Sequence, residues 1–339
     1  MNRAMLSRFR APETGEELFP ENDGDREDIS EGFVRSASGS RFPIHNGIID
    51  LSHPRTLAPP DERARSFYEG RVEDYDRYLH LTFDTFGESE DAVREAMVDR
   101  LELKPDSRVL EVGAGSGRDS AHIVRRVPRG EFIGTDISPS MLSACKSRLQ
   151  GAETRFELAV ANASHLPFPD DSFDALFQFG GVGEFSDIRR FFREAVRVVR
   201  PGGRVVAGDE SMPVWLRNTE FSRLLTFTNP QYAAPLPLEH LPIEARDVCV
   251  RWIIGGTFYL IDFTVGEGEP NADFDFVIPG PRGGTRRTRL YGQLEGVTPE
   301  TKLLAQEACQ RRNISMHEWL EEVVREAALK QKPQNDTAT

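Results

Sequence analysis

From Val109 to Arg118 the chain runs through Leu110, Glu111, Val112, Gly113, Ala114, Gly115, Ser116 and Gly117, an apolar stretch with an acid followed by three glycines at alternate positions. It reads as a buried strand, a glycine turn and the opening of a helix. Glycines there leave bare backbone at a helix N-terminus, where a polar ligand can approach closely. A second acid follows at a useful distance. Asp136 closes the apolar run that contains Phe132 and Ile133, 23 positions after Gly113, against about 20 for a carboxylate that grips ribose hydroxyls beside a glycine loop. Its alternative role is to cap a helix opening at Pro139. The glycine spacing differs from the dinucleotide fingerprint, which needs a glycine at 118, where the chain has Arg118.

The elements that must position these residues follow from periodicity. Residues 61–101 read helical, with Phe67, Tyr68, Val72, Tyr75 and Tyr78 at spacings of three to four. From residue 107 strands and helices alternate. Strands are expected at 108–112, 131–135, 154–159, 173–179 and 204–208, and helices at 116–127, 139–149 and 187–199. The Arg200-Pro201-Gly202-Gly203 turn precedes the fifth strand. Such alternation predicts an α/β fold with a doubly wound, largely parallel sheet. After a helical stretch near 213–226, two β-rich runs flank Gly255-Gly256 and predict a hairpin.

With 339 residues, 42 Lys and Arg against 55 Asp and Glu, and a net charge of -13, the chain is large enough for one main core with small appendages. The acidic balance argues against a broad phosphate-binding surface, although a local basic patch remains compatible with it. No apolar run reaches the roughly 20 residues of a membrane helix, and no signal peptide is expected. Cys145, Cys249 and Cys309 lie far apart and predict neither a disulfide framework nor a metal knot. A reducing cytoplasm is the default expectation.

The E-x-G-x-G-x-G spacing resembles the first motif of class I methyltransferases that use S-adenosylmethionine. The stretch Asn162, Ala163, Leu166, Pro167, Phe168, Pro169, Asp170, Asp171, Ser172, Phe173 and Asp174 is similar to the adenine-side loop of the ubiquinone/menaquinone biosynthesis C-methyltransferases. The resemblance covers roughly residues 65–265. It implies a Rossmann-like seven-stranded sheet whose last strand is antiparallel, and S-adenosylmethionine as cofactor. Gly113, Gly115 and Gly117 would face the methionyl end, with Glu111 organising the ammonium. Asp136 would hold the ribose, Ile137 and Met141 would pack the adenine, and Asn162 and Ala163 would border it. That family usually has aspartate where this chain has Asn162, so any contact with the adenine amine would use a neutral amide. Tyr75, in a Tyr-Asp pair ahead of the glycine loop, matches a position in related enzymes whose helix covers the cofactor. Gln178, near the end of the fourth strand, completes the expected set.

Methyl transfer is an in-line displacement that depends on alignment and exclusion of water. Substrate-facing groups are expected in residues 178–185 after the fourth strand and at Asp209-Glu210 after the fifth. The D/N-P-P-Y/F pattern of adenine-N6 and glutamine methyltransferases is missing there. Glu184, His80 and Glu210 are candidate general bases. His80 reads equally as a surface or packing histidine, and His165 as a cap of the adenine-side loop.

Both ends carry further resemblances. Residues 1–60 are expected to form either an irregular arm or a degenerate, metal-free ribbon. Ala11, Thr14, Arg35 and Ser38 would occupy the cysteine positions of a zinc ribbon, and none supplies a thiolate. The main domain is expected over 61–270. A strand at 288–295, a helix from Thr298-Pro299 to Asn313 and a helix opened by Ser315 and Glu318 make residues 285–330 resemble a ribbon-helix-helix module, which implies a homodimer. Residues 331–339 read as a disordered tail. Three functions compete: a small-molecule methyltransferase, an RNA methyltransferase suggested by the ribbon-like arm, and a non-enzymatic, cofactor-sensing dimer that binds DNA.

Overall fold

The structure, a computed structural model, describes residues 1–21, 27–292 and 297–331. It divides into two compact units, Met1–Glu269 and Pro270–Thr339. In the first unit the chain forms α1 (Arg3–Leu6) and four short strands, β1 (Leu18–Pro20), β2 (Gly32–Ser36), β3 (Arg41–His45) and β4 (Ile48–Asp50). Four helices follow: α2 (Pro59–Tyr68), α3 (Val72–Tyr78), α4 (Leu81–Asp84) and α5 (Glu90–Asp99). Then come β5 (Arg108–Val112), α6 (Arg118–Arg126), β6 (Glu131–Asp136), α7 (Pro139–Arg148), β7 (Arg155–Val160), β8 (Phe173–Phe179), α8 (Ile188–Val198) and β9 (Val199–Glu210). The unit closes with α9 (Glu220–Thr228), β10 (Ala245–Ile253) and β11 (Phe258–Val265).

One sheet takes all eleven strands, in the order β1-β2-β3-β4-β7-β6-β5-β8-β9-β11-β10. The seven from β7 to β10 are the expected set, and β11 lies antiparallel to both β9 and β10. The sheet is larger than the expected seven strands because the N-terminal segment joins it. β1 to β4 pair antiparallel with one another, and β4 then pairs parallel with β7. The first 60 residues are thus continuous with the main sheet. At two of the positions where a zinc ribbon would carry cysteines, Ala11 is buried and Ser38 is hydrogen-bonded to Glu16, its N–H at 3.1 Å and its hydroxyl at 2.7 Å from the carboxylate.

Strands β5 and β8 read as nearly continuous apolar runs because both faces are covered. On one side Leu110, Leu176 and Ile261 meet Phe191, Phe192 and Val198 of the α8 layer. On the other, Val109, Phe132 and Phe177 meet Ile123 of α6 and Leu142 and Cys145 of α7. Sheet order reverses around β5, which lies between β6 and β8. A doubly wound sheet opens a crevice at such a switch point, outside the carboxyl ends of its strands. Gly113 and Asp136 both stand there.

The second unit contains α10 (Arg286–Tyr291), α11 (Pro299–Arg312) and α12 (Met316–Lys330). The strand expected at 288–295 is not formed: residues 286–291 are helical and 293–296 lie outside the described residues. Thr285 and Thr288 cap the turn reciprocally, each side chain bonding the other's backbone N–H. A closed cap outweighs a short alternating pattern that has no partner strand. Helix α11 ends as expected at Asn313, which is left-handed at φ +51°, and Ser315 with Glu318 caps α12. The expected disordered tail falls almost wholly on residues 332–339, outside the described residues.

Candidate active site

The glycine turn carries its three left-handed residues, Gly113, Gly115 and Gly117, at φ +71°, +53° and +84°. Their surroundings differ. A Cβ on Gly117 would come within 2.8 Å of the Cys145 sulfur, so this glycine allows α6 to close onto α7. A Cβ on Gly115 would meet nothing within 4 Å. Gly115 borders open space, a backbone cradle that a side chain would occupy.

Asp136 crosses from the neighbouring strand to this cradle. One carboxylate oxygen accepts the Gly115 N–H at 2.8 Å, and the other accepts the Ser138 N–H at 2.8 Å. Asp136 is therefore not the cap of α7; Ser138 is, accepting from the Met141 N–H. A carboxylate has about four acceptor positions, so acceptor capacity remains beyond its backbone bonds. Burial raises the pKa of Asp136, opposed by its backbone hydrogen bonds.

Around this pair lies a cleft of about 730 Å³, open to solvent. Of the expected residues, Tyr75, Gly113, Gly115, Asp136, Ile137, Met141, Asn162, Ala163 and Glu184 line it together. Asp61, Ala64 and Tyr68 of α2 also line it, as do Phe179 and Phe185. Sequence reading missed the three from α2, whereas Phe179 and Phe185 fall in the segment 178–185 expected to face the substrate. A signal for α2 was present: Asp61, Ala64 and Tyr68 share a helical face by their three- and four-residue spacing, and an acid on an otherwise inward face is anomalous. Asp61 is only 4% exposed.

Other expected residues stand elsewhere. Glu111 is buried beneath the turn, accepting from the Ser120 hydroxyl at 2.5 Å. Its pKa is pushed well above the carboxylate range by burial and then by the Asp119 charge. Gly117 packs on Cys145 rather than facing the cleft. Gln178 is fully buried. In the amide orientation that satisfies its partners it accepts from Gly181 N–H and donates to the Gly208 carbonyl, so it pins the turn after β8. His80 is half exposed, 3.7 Å from Asp84, and does not line the cleft. His165 packs edge-on against the His53 ring.

Glu210 lines an adjoining hollow that shares Tyr68, Tyr75, Gly113, Gly115, Phe179 and Gly180 with the cleft. Beside it Asp209 is buried, accepting from the Gly183 N–H at 2.5 Å. Burial, and then a hydrogen bond with the Glu210 side chain, keeps the Asp209 carboxyl protonated well above its ordinary range. Glu184 is also raised, by burial first and then by the charge of Glu210, while the Tyr68 hydroxyl opposes the shift. Tyr75, on α3, has its hydroxyl pushed up to about 12 by burial.

The helix that presents Tyr75 is fastened by its neighbour. The Asp76 carboxylate accepts from the Ser116 hydroxyl at 2.6 Å, from Arg118 Nε at 3.1 Å and from Arg148 Nη2 at 2.6 Å. Burial works against ionisation of Asp76, but these partners hold its pKa below the usual value. This ties α3 to the glycine turn and to α7.

Comparison with known proteins agrees with this geometry. Residues 109–203 match the sequence model of a family described as a methyltransferase domain. The chain is 32% identical over 131 residues to methyltransferase GfsG of Streptomyces halstedii, covering 38% of this chain and 46% of the relative. It is 30% identical over 173 residues to a demethylmenaquinone methyltransferase of Symbiobacterium thermophilum, covering 46% of this chain and 65% of that protein. The chain thus spans about half to two thirds of these curated relatives. A crystal structure of an S-adenosylmethionine-dependent methyltransferase from Aquifex aeolicus is similar at 18% identity, with a TM-score of 0.42, covering 57% of this chain and 97% of that one. The glycine turn and the acid across from it both lie within residues 109–203, the segment that is similar to a methyltransferase domain.

Proposed function

We propose that the protein transfers a methyl group from S-adenosylmethionine to a small-molecule acceptor by in-line displacement. The observation that carries this reading is the bridge from Asp136 to the Gly115 N–H inside a cleft also lined by Ile137 and Met141. The residues present fit the cofactor. Gly113 and Gly115 offer backbone to the methionyl end, and Asp136 keeps acceptor positions for the ribose hydroxyls. Ile137, Met141 and Ala163 give the adenine apolar walls, and Tyr75 closes one end. Glu111 and Gly117 shape the turn from behind, and Gln178 holds the next loop.

S-adenosylmethionine, when bound, supplies an electrophilic methyl carbon and a thioether leaving group. The chain has to align the acceptor, keep water away and receive a proton where the acceptor carries one. Glu184 stands on the cleft wall beside Phe179 and Phe185, where it can take that proton; Glu210 is the second base. Phe179 and Phe185 favour an aromatic or quinone-like acceptor, a class consistent with the named substrate of the menaquinone relatives. A charge of -13 gives no support to RNA or DNA as substrate. We further propose a homodimer through the exposed apolar residues of the second unit, Leu303, Leu304 and Leu329 among them. Three free cysteines support a reducing, cytoplasmic setting.

Calorimetric titration of the purified chain with S-adenosylmethionine, S-adenosylhomocysteine and NADH tests the reading. Binding of the two sulfur ligands but not NADH, lost in Asp136→Ala, is expected. Binding of NADH alone, or of none, would overturn it.

A further inference from the structure

Asn162 stands where the resembling C-methyltransferases place an aspartate, yet both ends of its amide are bonded within the protein. Its oxygen accepts the Ser164 N–H at 2.9 Å, and its nitrogen donates to the Asp61 carboxylate at 3.0 Å. Asp61 comes from α2, 101 positions before Asn162 in the sequence. Its carboxylate also accepts the Ser186 N–H at 3.0 Å and the Ser186 hydroxyl at 2.7 Å. That makes three bonds on a group with about four acceptor positions. The fourth is on Oδ1, whose only donor among the described residues is the Ser186 N–H. Asp61 lines the cleft together with Asn162 and Ala163.

Resting on the S-adenosylmethionine reading above, we infer that Asp61 is the residue that reads the exocyclic amine of the adenine. The negative acceptor has moved from the end of β7 to the inner face of α2, and Asn162 serves to hold it in place. A buried carboxylate with a spare acceptor position matches an N–H donor and repels an oxygen lone pair at the same place. Such a site should therefore separate a 6-amino purine from a 6-oxo purine. An Asn162 whose two polar ends face the protein should contribute little to that choice.

The test is calorimetric binding of S-adenosylhomocysteine and of its 6-oxo analogue, S-inosylhomocysteine, to the full chain. The expected result is a preference of about 10-fold to 100-fold for the amino ligand. In Asp61→Asn this preference should collapse, with S-adenosylhomocysteine losing more affinity than the oxo analogue. If Asp61→Asn weakens both ligands equally, or neither, the carboxylate only fastens α2 and the inference is wrong. Asn162→Ala provides a check that does not depend on the folding of the first variant: it should lower affinity for both ligands while the amino preference persists. Loss of the preference in Asn162→Ala would assign base reading to the amide instead. Wild-type protein that binds neither ligand would overturn the cofactor reading and this inference with it. Wild-type protein that binds both alike would overturn the inference alone.

Discussion

Glu184 on the cleft wall lies near Glu210 of the adjoining hollow and the buried Asp209, and the three carboxyls cannot all ionise cheaply so close together. Burial, then the Glu210 charge, raises Glu184. A base must be deprotonated to accept a proton, so turnover should rise with pH through this raised pKa, above the ordinary 4.5, and then level off. Glu184→Gln should lower kcat about 100-fold and flatten that limb, as read from pH–rate profiles under saturating cofactor. An unchanged kcat would remove Glu184 from the chemistry. The same shift has the opposite sense for folding. A carboxyl whose native pKa is raised binds more protons folded than unfolded, so its contribution to stability falls as pH rises from about 4.5 through the raised value.

At the scale of elements, the glycine turn separates two roles that a sequence motif merges. Gly115 faces the cleft, and Gly117 lets α6 and α7 approach. Both have positive φ, so alanine at either carries a backbone penalty of about 1 kcal/mol. Only at position 117 does the new methyl also strike Cys145, at 2.8 Å from sulfur and 3.1 Å from Cα. Gly117→Ala should therefore cost about 2–4 kcal/mol in urea unfolding, the overpacking adding to the backbone term. Gly115→Ala should cost only the backbone term of about 1 kcal/mol yet lose most of its affinity for S-adenosylhomocysteine in calorimetry. Equal stability losses in the two variants would contradict this division. The α2–α3 cover is built by two acids of different kinds: Asp61 reaches the loop after β7, and Asp76 reaches the glycine turn and α7. Neither link depends on apolar periodicity, which explains why the helices were legible in residues 61–101 while their docking was not.

For the whole molecule, the proposed dimer has a direct test. Leu303 and Leu304 on α11 and Leu329 on α12 are each more than half exposed, an arrangement that a second copy could cover. Light scattering should report a dimer for the full chain and a monomer for the Leu303→Glu, Leu304→Glu double variant, with S-adenosylhomocysteine binding retained. A wild-type monomer would rule the dimer out.

The seven central strands, the glycine turn and the Asp136 spacing were readable because each is a local pattern: strands buried on both faces become apolar runs, and a turn with left-handed residues demands glycine. The edge of the sheet was not readable, since β4 reaches β7 over more than 100 residues and the short N-terminal strands have no pattern that names their partner. The 288–295 segment went the other way, because its alternation was real but a threonine cap closed a helix there. Hence the sequence by itself determined the class of fold, the cofactor motif and most of the residues around the cleft. Only the tertiary structure decided which of them face it. Glu111 and Gln178 turn inward to support loops, whereas Asp61 arrives from α2 to bond the loops after β7 and β8. Side-chain direction at a strand tip or a helix face depends on what packs against it, and that partner is distant in sequence.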